Sequence, residues 1–176
     1  INDITTYTEL ATSPATATWA QTTAVYHTPA DTRTLAIFHL IDQNGSLTVD
    51  TFSLTDGTVV TPPPPVLTNF ILNPSLETAG TDALPENWQK NKWGTSTTTF
   101  TYPAAAQDGA KGASITMTAR TSGDAKWFFN DVNVTPGTQY TFSNYYKATV
   151  QTQLVVRYTN ASGVASYSTL ATLPVA

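Results

Sequence analysis

The amino-acid sequence predicts an all-β fold, an antiparallel β-sandwich, and two features of its composition carry that prediction. Thr occurs 35 times among the 176 residues, and Val, Ile, Tyr, Phe and Trp, which suit the half-buried surface of a sheet, are well represented. Charged residues make up only 11% of the chain, which is too few to cover the exposed faces of many helices. No window of a dozen residues repeats its apolar side chains at helical spacing.

Four strands are predicted before residue 58, from β-branched and aromatic runs separated by turn residues. The breaks fall at the segments SPA, TPAD and DQNGS, and the last of these contains an Asn-Gly turn signal. The run TLAIFHLI is apolar at consecutive positions, as expected of a central strand in a sandwich. The predicted strands are 4–10, 16–27, 33–41 and 47–54.

Four consecutive prolines, residues 62–65, divide the chain. Proline has no N–H to donate to a sheet and favours an extended, semi-rigid stretch, so we assign 58–68 as a linker between segments 1–57 and 69–176. Residues 73–94, which contain two Trp and two Pro, are not assigned to regular structure. The strands predicted after the linker are 70–72, 97–102, 113–118, 126–134, 139–148, 152–159 and 164–173.

The chain ends on a stretch that nearly repeats one close to its start. YTELATSP (7–14) and YSTLATLP (167–174) have Tyr, Leu, Ala, Thr and Pro at the same five places. If both are the same strand of the same kind of domain, the long segment followed by the short one forms a single module of about 150 residues, an ordinary domain size. We therefore interpret 1–57 as the closing half of a module and 69–176 as the opening half of one.

Several motifs resemble those of jelly-roll carbohydrate-binding modules of the family four, nine and twenty-two kind. NFILNPSLETAGTDALPENWQ is similar to their opening, N-x-x-x-N-P-S-x-E followed by P-x-x-W, and the likeness continues through DGAKGASI, VTPGTQYTFSNYYKA and LVVRY. ATWAQTTAVYHTPADTRTLAIFHLI followed by GSLTVDTFSL resembles their closing half. The resemblance implies an antiparallel jelly roll, a non-catalytic role, polysaccharide binding on a concave face or at loop ends, and often a structural Ca²⁺.

The reversed order of the halves leaves three arrangements that bury the sheet edges. The chain closes on itself as a circular permutant, or it exchanges its short half with neighbouring copies, or it is cut from a longer array of such modules. A self-closed permutant needs one copy of the duplicated strand and leaves the other as a surplus edge, so exchange or an array is favoured. Other copies of the chain or adjacent repeats are the expected head-to-tail partners.

Aromatic and planar polar side chains are the candidates for sugar binding, because flat rings pack against the C–H faces of pyranoses. Alternation along the strands predicts Trp127, Tyr145, Gln153 and Arg157 on outward faces, where they form one patch. Trp93, in the unassigned loop region, is free to line a site. The alternative is that these rings pack under a loop or against the partner half.

The resemblance also implies a pair of metal ligands. Glu77 in NPSLE and Asp50 in TVDTFSL match the family's positions, and carbonyls near Gly109 and Lys111 are possible further ligands for Ca²⁺. The alternative is that both acids make ordinary hydrogen bonds at turns or strand ends. Because the two acids belong to opposite halves, a bound Ca²⁺ would hold the halves together.

Three classes of function are disfavoured by the sequence. For catalysis, the chain has no HExxH, no nucleophile elbow and no obvious acid and base pair, and His39 lies in an apolar strand, where a packed core role is expected. The net charge of −4, with Lys and Arg scattered singly, gives no basic stripe for nucleic acid. No apolar run approaches the length of a membrane span, and Ile1 does not begin a signal peptide.

The expected function is therefore a non-catalytic structural or adhesive module. In this interpretation its half-domains are completed by a neighbouring subunit or repeat, which gives a fibre or a tandem array. The alternative is a glycan-binding module attached to a polysaccharide-degrading enzyme. Because Thr-rich, Lys-poor sandwiches without cysteine are common in bacterial surface proteins, we expect an extracellular or cell-surface location.

Overall fold

The structure is a computed structural model that describes residues 9–13, 16–57, 59–60 and 66–168. These residues form fourteen β-strands, which confirms the prediction of an all-β fold. The described part of the chain contains no helix of the length and hydropathy needed to cross a membrane. The strands are β1 (Glu9–Ser13), β2 (Thr16–His27), β3 (Thr32–Ile41), β4 (Gly45–Thr55), β5 (Val59–Val60), β6 (Val66–Leu67), β7 (Trp88–Lys92), β8 (Thr97–Ala104), β9 (Gly112–Thr118), β10 (Ala125–Phe129), β11 (Val132–Asn133), β12 (Gln139–Ala148), β13 (Thr152–Asn160) and β14 (Ala165–Ser168).

Two antiparallel sheets pack face to face as a β-sandwich, as predicted. The seven-stranded sheet has the order β1, β13, β3, β10, β7. In this sheet β1 and β14 pair with successive parts of the same edge of β13. β10 and β11 likewise pair with successive parts of one edge of β3. The five-stranded sheet has the order β2, β12, β4, β9, β8, and the short strands β5 and β6 pair with each other on either side of the proline run.

Strands from the two sides of the proline run alternate within both sheets. β12 lies between β2 and β4, and β3 lies between β13 and the two strands β10 and β11. Among the residues described, none of β1 to β4 pairs with another strand of that group. The described parts of segments 1–57 and 69–176 therefore share one sandwich within this chain. The jelly-roll connectivity and the assignment of the segments as halves of a module stay predictions.

Most strand bounds agree with the sequence, and the differences have local causes. The predictions 16–27 and 139–148 coincide with β2 and β12. The predicted strand 126–134 is interrupted by Asn130 and Asp131, which separate β10 from β11. Residues 70–72 form no strand, while β7 lies in the region left unassigned because its sequence WQKNK has little apolar character. Parts of the predictions 4–10 and 164–173 lie outside the described residues.

The core between the sheets is rich in aromatic rings. Trp88 closes one end of it, donating its indole N–H to the carbonyls of Leu72 and Asn73 at 3.3 and 3.1 Å. Its ring centroid lies 4.5 Å from that of Phe52. His39 is 1% exposed and packs in this core, as expected from its apolar strand. The core therefore joins side chains from both segments of the chain.

Candidate functional site

Trp127 lies in the core and not on the surface. It is 1% exposed, its Nε1 donates to the Ser114 carbonyl at 3.0 Å, and its ring meets Phe100 edge-on with 5.5 Å between centroids. The outward placement of Trp127 from strand alternation is therefore wrong, and Phe128 is the residue that faces outward. All five residues of β10 are buried, so the apolar pattern by itself did not fix which face of this strand was which.

The predicted patch of Trp127, Tyr145, Gln153 and Arg157 does not form. Tyr145 lies on β12, in the five-stranded sheet, where its neighbours on the strand face the core and Tyr145 faces out. Gln153 and Arg157 lie on β13, in the seven-stranded sheet. The thickness of the sandwich separates Tyr145 from the other two surface residues.

Three of the predicted ligand-binding residues do share a surface, the outer face of the seven-stranded sheet. Trp93 lies between two depressions, of about 190 and 320 Å³. The smaller depression is lined by Gln153 and Val155, and the larger by Arg157 and Phe128. We call this surface the Trp93 face and define it by seven of the side chains that line the two depressions: Gln89, Asn91, Trp93, Asp124, Lys126, Gln153 and Arg157.

Trp93 is held in place by the turn that precedes β10. Its backbone N–H donates to the Asp124 carbonyl at 3.1 Å, and its indole N–H donates to the Asp124 carboxylate. Gly123 has a φ of +87°, and a Cβ there would lie 1.9 Å from the Trp93 carbonyl oxygen, so only glycine allows this approach. Trp93 remains 52% exposed. Trp93 therefore presents a solvent-exposed ring whose orientation is fixed by its hydrogen bonds to Asp124.

Two cations lie over buried aromatic rings beside Trp93. The Lys126 ammonium is 5.5 Å from the Phe38 ring centroid, and the Arg157 guanidinium is 5.3 and 5.5 Å from those of Phe38 and Phe128. Lys126 donates to Asp124 at 2.6 Å, and Arg157 donates to the Asp131 carboxylate. The Trp93 face therefore carries paired charges. The rings of Phe38 and Phe128 are covered by cations, while the Trp93 ring is exposed to solvent.

A second acid lines the smaller depression. Burial raises the pKa of Asp42, and the nearby Arg120 opposes that rise. Arg120 also donates through Nε to the Gly123 carbonyl at 2.7 Å, which fixes the turn under Trp93. A larger cavity of about 420 Å³ lies elsewhere, beside Phe70 and Leu72. Its most exposed large apolar side chain is Leu72, which has no flat ring for a sugar to pack against.

Asp50, one of the two predicted metal ligands, is surrounded by hydrogen-bond donors. It is fully buried, and its carboxylate accepts backbone N–H groups from Thr51 at 2.7 Å, Gln107 at 2.7 Å and Asp108 at 3.0 Å. Burial raises the pKa of Asp50, while these three hydrogen bonds act in the opposite direction and the charge of Glu77 adds a smaller rise. The N–H groups occupy both carboxylate oxygens.

Glu77, the other predicted ligand, binds the same loop. Its Oε1 accepts the N–H groups of Ala110 and Lys111 at 2.8 Å each, and Lys111 Nζ donates to the Glu77 carbonyl at 2.6 Å. The loop thus presents N–H groups to this acid, where a calcium site needs oxygen atoms. In the part of the chain that is described, no group of three or more acids, His or Cys is placed to hold a metal. This donor set does not fit Ca²⁺ and fits the alternative of hydrogen-bonding acids.

The sequence interpretation missed Asp124 and Lys126, which position Trp93 and line the same face. A signal for them was present, because Asp124 and Lys126 are charged residues two positions apart around the start of β10, a spacing that puts both on one face. Chemically, the face offers one open ring flanked by side-chain amides and fixed charges, a combination suited to binding a flat polar ligand. The chain matches no protein family, no curated protein and no solved structure.

Proposed function

We propose that this protein is a non-catalytic adhesive module that binds a saccharide on the Trp93 face. The observation that carries the proposal is Trp93, which is 52% exposed and whose indole is held by Asp124. The C–H face of a pyranose packs well on an indole ring. A ring already held in one orientation loses little further rotamer entropy when a ligand binds, which favours affinity.

Polar groups beside the ring supply directional contacts for sugar hydroxyls. Gln89 and Asn91 are exposed on β7, and the half-buried Gln153 lies at the opposite depression. Side-chain amides both donate and accept hydrogen bonds, as hydroxyl groups require. Gln89 is itself oriented by a 2.7 Å hydrogen bond from its Nε2 to the Asn130 side-chain oxygen. The ring and the amides together would select a polar ligand with one apolar face.

The two acids that pair with Lys126 and Arg157 support binding rather than acid and base catalysis. Asp124 is engaged by Lys126 and by the Trp93 indole, and Asp131 is engaged by Arg157. A general base must be free to reach the proton of a substrate, and these carboxylates are held by other partners. Such a module would act outside the cell or on its surface, either alone as an adhesin or attached to a polysaccharide-degrading enzyme.

The experiment is a pull-down on insoluble polysaccharides combined with a glycan array. The Trp93→Ala variant should lose at least about tenfold in affinity, since truncating a central aromatic anchor typically costs about 2 kcal/mol or more. Tyr145→Ala is the matched control, because this half-buried ring lies on the other sheet and its loss should leave binding unchanged. Full binding by Trp93→Ala, or no binding of the unaltered protein to any saccharide, would contradict the proposal.

A structural role in a fibre or tandem array is the second candidate. It is favoured by the repeated stretch, residues 7–14 and 167–174, since a sandwich closed within one chain needs one copy of that strand. Within this chain β12 pairs between β2 and β4, and β3 pairs between β13 and β10. The same pairing is open to segments of two different copies, because the hydrogen bonds of a sheet do not depend on which chain supplies the strand. Light scattering over a dilution series should then show mass that rises with concentration. A monomer at every concentration would exclude the fibre.

A further inference from the structure

One edge of β13 is covered by strands from opposite ends of the chain. β14 pairs with the second half of β13, and the last pair of that ladder joins Ser168 to Val156. β1 pairs with the first half, and its ladder begins where the other stops, with Glu9 opposite Val155. Both strands run antiparallel to β13, so β1 takes up the edge at the residue where β14 ends.

The pairing register and the sequence repeat agree at this junction. Continued by one residue, the register of β14 assigns position 169 to Val155, which is the partner of Glu9 in the structure. In the repeated stretch, Thr169 and Glu9 are also equivalent, since each lies two residues after the shared tyrosine, Tyr167 or Tyr7. Two independent observations thus give the same edge position to two parts of the chain.

We propose that this edge of β13 is a docking position for residues 169–174, seated in direct continuation of β14 in place of β1. The two stretches share Leu, Ala, Thr and Pro at equivalent places, so the edge accepts either of them. They cannot occupy it together, because an edge strand of a sheet pairs with one neighbour at each position. Residues 169–174 need no connecting loop to reach it, which lowers the entropic cost of closure.

The docking position implies a repeat unit in which one stretch serves two modules. Residues 169–174 would end segment 69–176 of one module. The same stretch would be equivalent to residues 9–14, which precede β2, of the next module. Copies joined in this way repeat every 160 residues, the separation of Tyr7 and Tyr167. This repeat unit rests on the second candidate function, the array, whereas the docking position itself requires neither the array nor saccharide binding.

The test uses disulfide trapping, which is clean because the chain has no cysteine. Paired residues on antiparallel strands have Cα atoms about 4.5–5.5 Å apart, within the range that a disulfide spans. Val155→Cys with Glu9→Cys reports β1 on the edge, and Val155→Cys with Thr169→Cys reports the proposed occupant. Val155→Cys with Leu170→Cys is the control, since adjacent residues of a strand point to opposite faces.

Each cysteine pair is combined with two adjacent prolines, placed either in β1 or in residues 169–174. Ala11→Pro with Thr12→Pro removes two adjacent N–H groups from β1, one of which faces β13 whichever way the strand is turned. This pair should raise the yield of the 155–169 crosslink severalfold, and Ala171→Pro with Thr172→Pro should abolish it. The 155–9 crosslink should respond in the opposite direction.

Two results would overturn the proposal. One is a 155–169 yield no higher than the 155–170 control in the Ala11→Pro and Thr12→Pro background. The other is unfolding caused by these β1 prolines, since residues 169–174 should replace the lost strand. The test also separates the two ideas. A strict monomer that forms the 155–169 crosslink contradicts the array and supports the docking position, whereas an assembly without that crosslink contradicts the docking position and leaves the array.

Discussion

His39 and Asn144 join the two sheets inside the core, with 3.2 Å between the imidazole Nδ1 and the amide Oδ1. The second ring nitrogen, Nε2, lies 2.8 Å from the Thr152 hydroxyl, and the Asn144 amide donates to the Tyr145 carbonyl at 3.0 Å. A neutral ring that donates from Nδ1 and accepts at Nε2 satisfies this arrangement. Since His39 precedes the proline run and Asn144 follows it, the pair also joins the two segments.

The first prediction concerns the stability of the protein in mild acid. Burial lowers the pKa of His39 from 6.5 to about 4, although the Asn144 hydrogen bond opposes the shift. The unfolded chain then binds more protons than the folded protein in this pH window, so stability falls as the pH drops from 6.5 towards 4. The loss should reach about 3 kcal/mol.

Urea denaturation at pH 7 and pH 4.5 measures this loss, with His39→Gln as the comparison. Burial raises the pKa of Asp42 and Asp50, whose effect has the opposite sign, but both chains carry them. The difference between the two pH dependences therefore isolates His39. An identical pH dependence for the two chains would contradict the prediction.

The second prediction is that His39 and Asn144 are energetically coupled. Asn144→Ala leaves the buried imidazole N–H without its acceptor and should lower the free energy of unfolding by about 1–3 kcal/mol. A double-mutant cycle with His39→Leu should give a coupling energy of at least about 0.5 kcal/mol. Additive effects of the two substitutions would mean that the hydrogen bond contributes little to joining the sheets.

The third prediction concerns the glycine beneath Trp93. Gly123→Ala places a Cβ against the Trp93 carbonyl and should destabilise the protein strongly and displace the indole. Gly137→Ala is the matched control, because Gly137 also has a positive φ, +65°, but has open space around it. Its cost should be limited to about 1–2 kcal/mol of backbone strain. Thermal unfolding of both variants makes the comparison, and equal losses would contradict the close approach.

The fourth prediction tests the carboxylate of Asp50. Asp50→Asn replaces one acceptor oxygen with an NH₂ group that faces backbone N–H donors, at a cost of about 1–3 kcal/mol. Asp82→Asn is the control, because Asp82 is exposed in a turn where asparagine is equally suitable. Thermal denaturation should show a loss for the first variant only. An unchanged melting temperature for Asp50→Asn would show that the three N–H bonds are dispensable.

The fifth prediction concerns calcium. Because N–H groups occupy the oxygens of Asp50 and the Oε1 of Glu77, neither a chelator nor added Ca²⁺ should shift the melting temperature. Calorimetry in EDTA and in millimolar Ca²⁺ makes the comparison. A rise in melting temperature with Ca²⁺ that disappears in Glu77→Gln would restore the metal site implied by the family resemblance.

Strand bounds were predictable both from alternating and from fully apolar runs, whereas the face of a strand was predictable only where its pattern alternates. β12 alternates clearly, and the bounds of β2 and β12 coincide with the prediction. β3 was predicted to within one residue although it is buried on both faces. β10 is buried on both faces, so its apolar pattern does not indicate which of Trp127 and Phe128 faces the core between the sheets. β7 was not predicted because its sequence, WQKNK, has few apolar side chains, although its backbone pairs with β10.

The candidate site was predictable only in part, for a related reason. Trp93, Gln153 and Arg157 stand out by residue type, and they do share a face. That Tyr145 lies on the opposite sheet follows from the order of the strands, which the sequence of a single strand does not contain. The role of Asp124 depends on the Gly123 turn, which brings two distant parts of the chain within hydrogen-bond distance.

The alternation of strands across the proline run has a consequence for how the polypeptide reaches its folded form. Among the described residues, none of β1 to β4 pairs with another strand of that group. β4 meets its first partner, β9, more than 50 residues further along, and β2 pairs only with β12, which lies more than 110 residues after it. Such distant pairing makes folding slow. During synthesis the early strands would leave the ribosome with unpaired edges. Chaperones would have to keep these strands from aggregating until β12 and β13 are synthesised.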